Sequence, residues 1–193
     1  KKSFVFAISA GSCAIITSVP RFSLGQFYNG EYLGVVGICL SIGTLFGMIF
    51  NTTWMRYFPL YKKSINFTRF CIRYCIENII LSIFLILLSY FVLPFAISSF
   101  FGFDYTSYYK LVQLILFSCV VFNLGISFPN IYKVTLYPWL ESFVYLISLI
   151  LVVIIFYFEQ IEIYQLLIIA GISMLFLSVF PVVFFNKYFL KKT

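Results

Sequence analysis

From Tyr32 to Phe50 the chain reads YLGVVGICLSIGTLFGMIF, nineteen residues without a single charge. About 20 consecutive apolar residues, wound as a helix, cross the hydrocarbon of a bilayer. Similar runs lie at about Ser3 to Val19, Ile79 to Ile97, Leu111 to Phe128, Trp139 to Tyr157 and Tyr164 to Phe184, and the first can be extended through Pro20 and Arg21 to Tyr28. Hydrophobic residues make up 63% of the 193 and charged residues 10%, where a soluble domain carries about 45–50% and about 25%. A chain of this make-up has lipid for its solvent. Its apolar runs are continuous rather than alternating, which argues against a membrane β-barrel. The expected fold class is therefore all-α integral membrane, a single six-helix unit over residues 1–193 with no separate soluble domain.

The charges give that unit an orientation. If the N-terminus is cytoplasmic and every run spans, the inner side receives Lys1, Lys2, Arg56, Lys62, Lys63, Arg69, Arg73, Lys133, Lys187, Lys191 and Lys192, eleven of the thirteen basic residues. The outer loops receive Glu31, Asp104, Glu159 and Glu162, four of the six acids. A wrong number of spans would scramble this alternation, so the positive-inside rule supports both six spans and cytoplasmic ends. The net charge of +7 is then a record of topology, and no nucleic-acid partner is expected. The sequence opens on Lys1, and we expect further chain upstream. Ala10-Gly11-Ser12-Cys13 has the outline of a lipoprotein cleavage site, but the apolar stretch before it is short and is repeated downstream, which favours a span over a signal.

Few residues offer chemistry. Without histidine, and with Asp104 as the sole aspartate, paired-aspartate metal sites and His-based acyl transfer have no components in this segment. The five cysteines (Cys13, Cys39, Cys71, Cys75, Cys119) form no CxxC and read as small packing residues, so neither metal nor cofactor is expected. Glu159 and Glu162 flank Gln160 in a short outer loop, where solvation is the default. Arg69, Arg73 and Glu77 recur at steps of four, opposite Phe70, Cys71, Tyr74 and Cys75, as in an amphipathic lead-in to the third span held at an anionic membrane surface.

Three positions stand out as candidates for binding or movement. Arg21 follows Pro20 at the outer end of the first span. It either faces a wet cavity, where its planar fork of donors suits a diphosphate, or snorkels to the outer headgroups. Glu141 lies near the inner start of the fifth span, two turns after Lys133, either as an interface residue or as a partner for a base elsewhere in a longer protein. In the second span Gly43 and Gly47 are spaced as GxxxG, which serves close helix packing or a hinge.

Ser18-Val19-Pro20-Arg21-Phe22-Ser23-Leu24-Gly25-Gln26-Phe27-Tyr28, followed by Glu31-Tyr32-Leu33-Gly34-Val35-Val36-Gly37, resembles the O-antigen and polysaccharide repeat-unit flippases. Those proteins show an Asp-Arg pair, a short linker and a Leu-Gly that opens the next span. Met55-Arg56-Tyr57-Phe58-Pro59-Leu60-Tyr61-Lys62 is similar to the Phe-Pro and basic-aromatic close of that span, and Phe101-Gly102 to an outer-loop Phe-Gly. Pro20 stands where the family has Asp, so the acidic neighbour of Arg21 is missing. The resemblance implies the multidrug/oligosaccharidyl-lipid/polysaccharide exporter fold, two six-helix lobes around a cavity, with this chain as helices seven to twelve. It further implies transport of an undecaprenyl-diphosphate-linked oligosaccharide for O-antigen, lipopolysaccharide, capsule or exopolysaccharide synthesis across the bacterial inner membrane. The implied partners are that lipid-linked oligosaccharide, membrane lipids, the missing N-terminal lobe and a polysaccharide polymerase.

Two other classes compete. A lipid II flippase belongs to the same superfamily, and a membrane-bound polymerase or glycosyltransferase to the same pathway. The latter calls for a large polar outer loop, whereas the longest here, about Ser98 to Lys110, offers only Asp104 and Lys110. A membrane scaffold is the third. A transporter, not an enzyme, is the expectation, because sparse polar groups within spans mark a transport path.

Overall fold

Apolar runs of this length have one economical way to satisfy their backbone in lipid, which is to wind into helices, and they do. The computed structural model describes residues 7, 10–18, 30–61, 67–93, 95–96, 99, 105–134, 139–158 and 161–189. Residues 10–18 belong to a first helix, α1. It is followed by α2 (Gly30–Tyr61), α3 (Phe67–Phe91), α4 (Tyr105–Ser127), a 3-10 segment (Phe128–Val134), α5 (Trp139–Phe158) and α6 (Ile163–Phe189). No strand occurs among the described residues. Five helices, α2 to α6, are long and apolar enough to cross a membrane, the make-up of a multi-pass membrane protein. Of the expected first span, Ser3 to Val19, residues 7 and 10–18 are described, and its extension to Tyr28 lies outside the described residues.

The central element is α4, which packs against α2, α3 and α6, while α5 reaches the bundle through α6 and the 3-10 segment. Large apolar side chains remain exposed on the outer helices, among them Ile80, Phe84 and Phe91 on α3, Ile150 and Tyr157 on α5, and Phe176 on α6. In water such patches would drive aggregation; in a bilayer they are the lipid-facing surface. Lipid also removes the hydrophobic drive between helices, leaving close packing and interhelical hydrogen bonds to hold them. The α4–α6 crossing shows the first device. A Cβ built on Gly125 would stand 2.5 Å from the carbonyl oxygen of Gly171, and one on Gly171 2.6 Å from that of Val121. Only glycine lets these two backbones touch.

Two elements differ from the sequence expectation. The second span, expected to end near Phe50, continues as helix to Tyr61 and carries Pro59 in its last turns. At 1.5 Å per residue its 32 residues reach about 48 Å, more than the ~30 Å of hydrocarbon. The third helix starts at Phe67, so the basic lead-in and the span are one continuous helix rather than a separate surface segment. What extends both is a second core in which Trp54 and Tyr57 meet Phe70, Cys71, Tyr74 and Ile131. Its rings are edge-to-face, with Tyr57 and Tyr74 centroids 5.5 Å apart and Trp54 and Tyr74 5.7 Å apart. Each such pair contributes about 0.5–1.5 kcal/mol beyond burial. Outside this core Glu77 lies 3.6 Å from Arg73 and 3.7 Å from Arg56, exposed pairs that add about 0–1 kcal/mol.

Three buried serines in the spans are satisfied by their own helices. Ser82 donates to the carbonyl of Asn78, Ser89 to that of Leu85 and Ser178 to that of Met174, at 2.8, 2.7 and 2.6 Å. A serine bonded to its own helix packs like a small apolar residue.

Candidate functional site

The site begins at the break after α4. Pro129 has no N–H to give to the carbonyl four residues back, and the chain tightens there into the 3-10 segment. Carbonyls left without helical partners must be bonded by other groups. Tyrosines from two other helices do this: Tyr145 of α5 donates to the carbonyl of Ile126 at 3.0 Å, and Tyr74 of α3 to that of Ser127 at 2.9 Å. A third, Tyr132 within the 3-10 segment, donates to the carbonyl of Ser178 on α6 at 2.5 Å. The break is thereby fixed to three helices.

That fixed break presents two charges. Lys133 Nζ donates to Asn130 Oδ1 at 2.7 Å and stands 3.3 Å from Glu141 Oε1 in the first turn of α5. The Glu141 side chain is 2% exposed, that of Lys133 37%. Each occupies the helix end that suits its sign, the lysine after the C-terminus of α4 and the glutamate at the N-terminus of α5. Lys133 thus brings a cation to a carboxylate that is almost wholly buried. On the other wall, Asn123 of α4 donates to the carbonyls of Gly43 at 2.9 Å and Cys119 at 2.8 Å.

These groups line one cavity of about 730 Å³ between α1, α2, the end of α4, the 3-10 segment and the start of α5. Its polar lining includes Thr17, Thr44, Asn51, Asn123, Lys133 and Glu141. Among the described residues, hydroxyls and carboxamides accompany the ion pair beside apolar groups such as Met48, Phe50 and Ile126, inside a bundle whose outer faces are apolar. Such a space replaces some of the hydration that a polar group loses on leaving water.

The positions singled out in the sequence fare differently. Arg21 lies outside the described residues. Glu141 is buried in the first turn of α5, 3.3 Å from Lys133. Gly43 and Gly47 both face α4: a Cβ on Gly43 would fall 2.6 Å from Cys119 Sγ, and one on Gly47 2.6 Å from Asn123 Oδ1. Sequence reasoning passed over Asn123, whose signal was a carboxamide in the middle of the uncharged run from Leu111 to Phe128, which has one other, Gln113, near its start. Glu162 stands at the N-cap of α6, its backbone N–H donating to Gln165 Oε1 at 3.1 Å, so Gln165 plays the part of the N3 side chain that reaches back in a capping box. Among the described residues no group of three His, Cys, Asp or Glu is placed to hold a metal ion.

Set beside protein-family models, curated proteins and solved structures, the chain matches none.

Proposed function

We propose that this chain is one six-helix lobe, helices seven to twelve, of a two-lobe flippase of the bacterial inner membrane. The flippase carries an undecaprenyl-diphosphate-linked oligosaccharide from the cytoplasmic to the periplasmic leaflet, and both ends of the chain lie in the cytoplasm. The observation that carries the reading is the cavity that places Lys133 and Glu141 among hydroxyls and carboxamides, set within helices whose outer faces are apolar. A sugar-bearing diphosphate cannot cross hydrocarbon unaided, since burying its polar and charged groups costs many kcal/mol. A cavity that offers an ammonium for phosphate, with hydroxyls and carboxamides for sugar, lowers that cost while the polyprenyl tail stays in lipid. The inner side is assigned from the basic residues: Arg56, Arg69 and Arg73 lie at the α2–α3 turn, the same end of the bundle as Lys133. The resemblance around Arg21 supports the same substrate.

The test uses the complete gene in a bacterium whose own O-antigen flippase is deleted and which makes the matching sugar unit, with surface polysaccharide read by blot. Restored display is expected, with Lys133→Ala reducing it at least tenfold at equal protein level. Arg21→Ala abolishes display and Arg21→Lys keeps part of it if Arg21 holds the diphosphate; full display in Arg21→Ala makes it a headgroup anchor. No display from a folded, membrane-inserted protein overturns the flippase reading.

A further inference from the structure

We propose that the groove between α2 and α3, at the end of the bundle that carries Arg56 and Arg73, holds one anionic phospholipid of the phosphatidylglycerol kind. The groove, about 650 Å³, is lined by Thr52, Thr53 and Arg56 from α2 and by residues of α3 that include Glu77, Ile80 and Phe84. Arg73 stands beside it, 3.6 Å from Glu77 on the same helix. Polar groups lie at one end and apolar groups follow along α3, in the order of the parts of a lipid. The site is separate from the cavity at Lys133 and goes beyond the transport reading.

The periodicity of α3 lays out the track. Residues three and four apart share a helix face, and Arg73, Glu77, Ile80, Phe84, Leu87 and Phe91 follow one another by steps of four and three. The four apolar members are each more than half exposed. From Ile80 to Phe91 the helix rises about 17 Å, close to half of the ~30 Å of hydrocarbon in a bilayer. An acyl chain laid on this stripe runs from the headgroup level to the midplane.

The head end selects the lipid. Arg56 is the penultimate residue of the apolar span Tyr32–Tyr57, and Arg73 lies one turn into the span Arg69–Phe91, so both stand at one boundary between water and lipid. Their side chains are 66% and 68% exposed, and that of Glu77 between them 28%. Two guanidiniums and one carboxylate leave one positive charge, which matches the single negative charge of a phosphodiester and gives a zwitterion no net attraction. At 3.7 and 3.6 Å neither ion pair is of hydrogen-bond length, and the planar fork of a guanidinium suits phosphate oxygens. The Thr52 and Thr53 hydroxyls donate to the carbonyl of Ile49 at 2.7 and 3.2 Å, which leaves their oxygens to accept from headgroup hydroxyls.

The experiment is native mass spectrometry of the full-length protein in detergent, titrated with dioleoyl phosphatidylglycerol or dioleoyl phosphatidylethanolamine. The expected result is one phosphatidylglycerol bound about fivefold tighter than the zwitterion, or more. Arg56→Gln with Arg73→Gln should bring the two lipids to about equal affinity. Lys110→Gln, which removes one charge from an exposed position on α4, should leave the preference intact. Equal binding of the two lipids by the wild type overturns the proposal, and so does a preference that survives the double variant or falls as far in Lys110→Gln. Displacement of the lipid by excess glycerol phosphate would make this a site for a soluble phosphate and overturns it too. Should the double variant fail to fold, Arg56→Gln alone, at a side chain two-thirds exposed, decides the matter: the preference should fall by about half or more, and an unchanged one overturns the site.

Discussion

Lys133 and Glu141 are eight positions apart, and the chain brings them to 3.3 Å by breaking one helix and starting another. Their contributions to stability are unequal. Lys133→Ala leaves a carboxylate without its ammonium in the least exposed part of the cavity, a loss of about 3–5 kcal/mol where a buried pair is broken from one side. Glu141→Gln leaves behind a lysine that still has Asn130 and solvent, so its cost is smaller, about 1 kcal/mol. Replacing both together, Lys133→Met with Glu141→Leu, should recover most of the loss from Lys133→Ala, because no ion then stays buried. Chemical unfolding in detergent, read by tryptophan fluorescence, checks the order of the three. Equal costs for the two single variants would mean that the pair is solvated rather than buried.

Helices are held here by contacts that small or polar residues make. Gly125→Ala meets backbone atoms of Gly171 rather than a yielding side chain, so α4 and α6 must part, at about 1–3 kcal/mol. Gly43→Ala meets the sulfur of Cys119, whose side chain can move, and should cost less. Tyr145→Phe removes the bond to the Ile126 carbonyl and should cost about 1 kcal/mol, measured in the same unfolding assay. The apolar runs revealed α2 to α6 because span length and charge are local properties of sequence. Where α2 stops was not local: Arg56 and Pro59 argue for an earlier end, and the ring packing of Trp54 and Tyr57 on α3 overrides them. The pairing of Lys133 with Glu141 was hidden for a similar reason. Their proximity depends on the 3-10 segment at Pro129 and on tyrosines from α3 and α5 that fix it. Glycines 43 and 47 were visible as a motif, whereas Gly125 and Gly171, which make the tightest crossing, lie on different helices and share no motif.

Across the whole molecule the proposed function turns on sidedness and on cargo. With the α2–α3 turn inside and the α5–α6 turn outside, a cysteine at Glu162 should react with a membrane-impermeant maleimide in intact cells, above the level of the parent protein. One at Arg69 should react only after the cells are opened. Reaction of Arg69→Cys from outside would invert the topology. Under the proposed topology the cavity at Lys133 would lie toward the cytoplasmic side, the side from which the proposed lipid-linked sugar would enter, with the apolar outer faces of α3 and α5 left to the lipid. The most direct measurement is flipping itself, in vesicles reconstituted with the full-length protein and a fluorescent polyprenyl-diphosphate oligosaccharide, using a membrane-impermeant quencher to report the outer leaflet. If the chain belongs to a flippase, protein-containing vesicles should exchange the labelled lipid between leaflets far faster than empty ones, and Lys133→Ala should slow the exchange at least tenfold. Exchange no faster than in protein-free vesicles, from a folded protein, would contradict it.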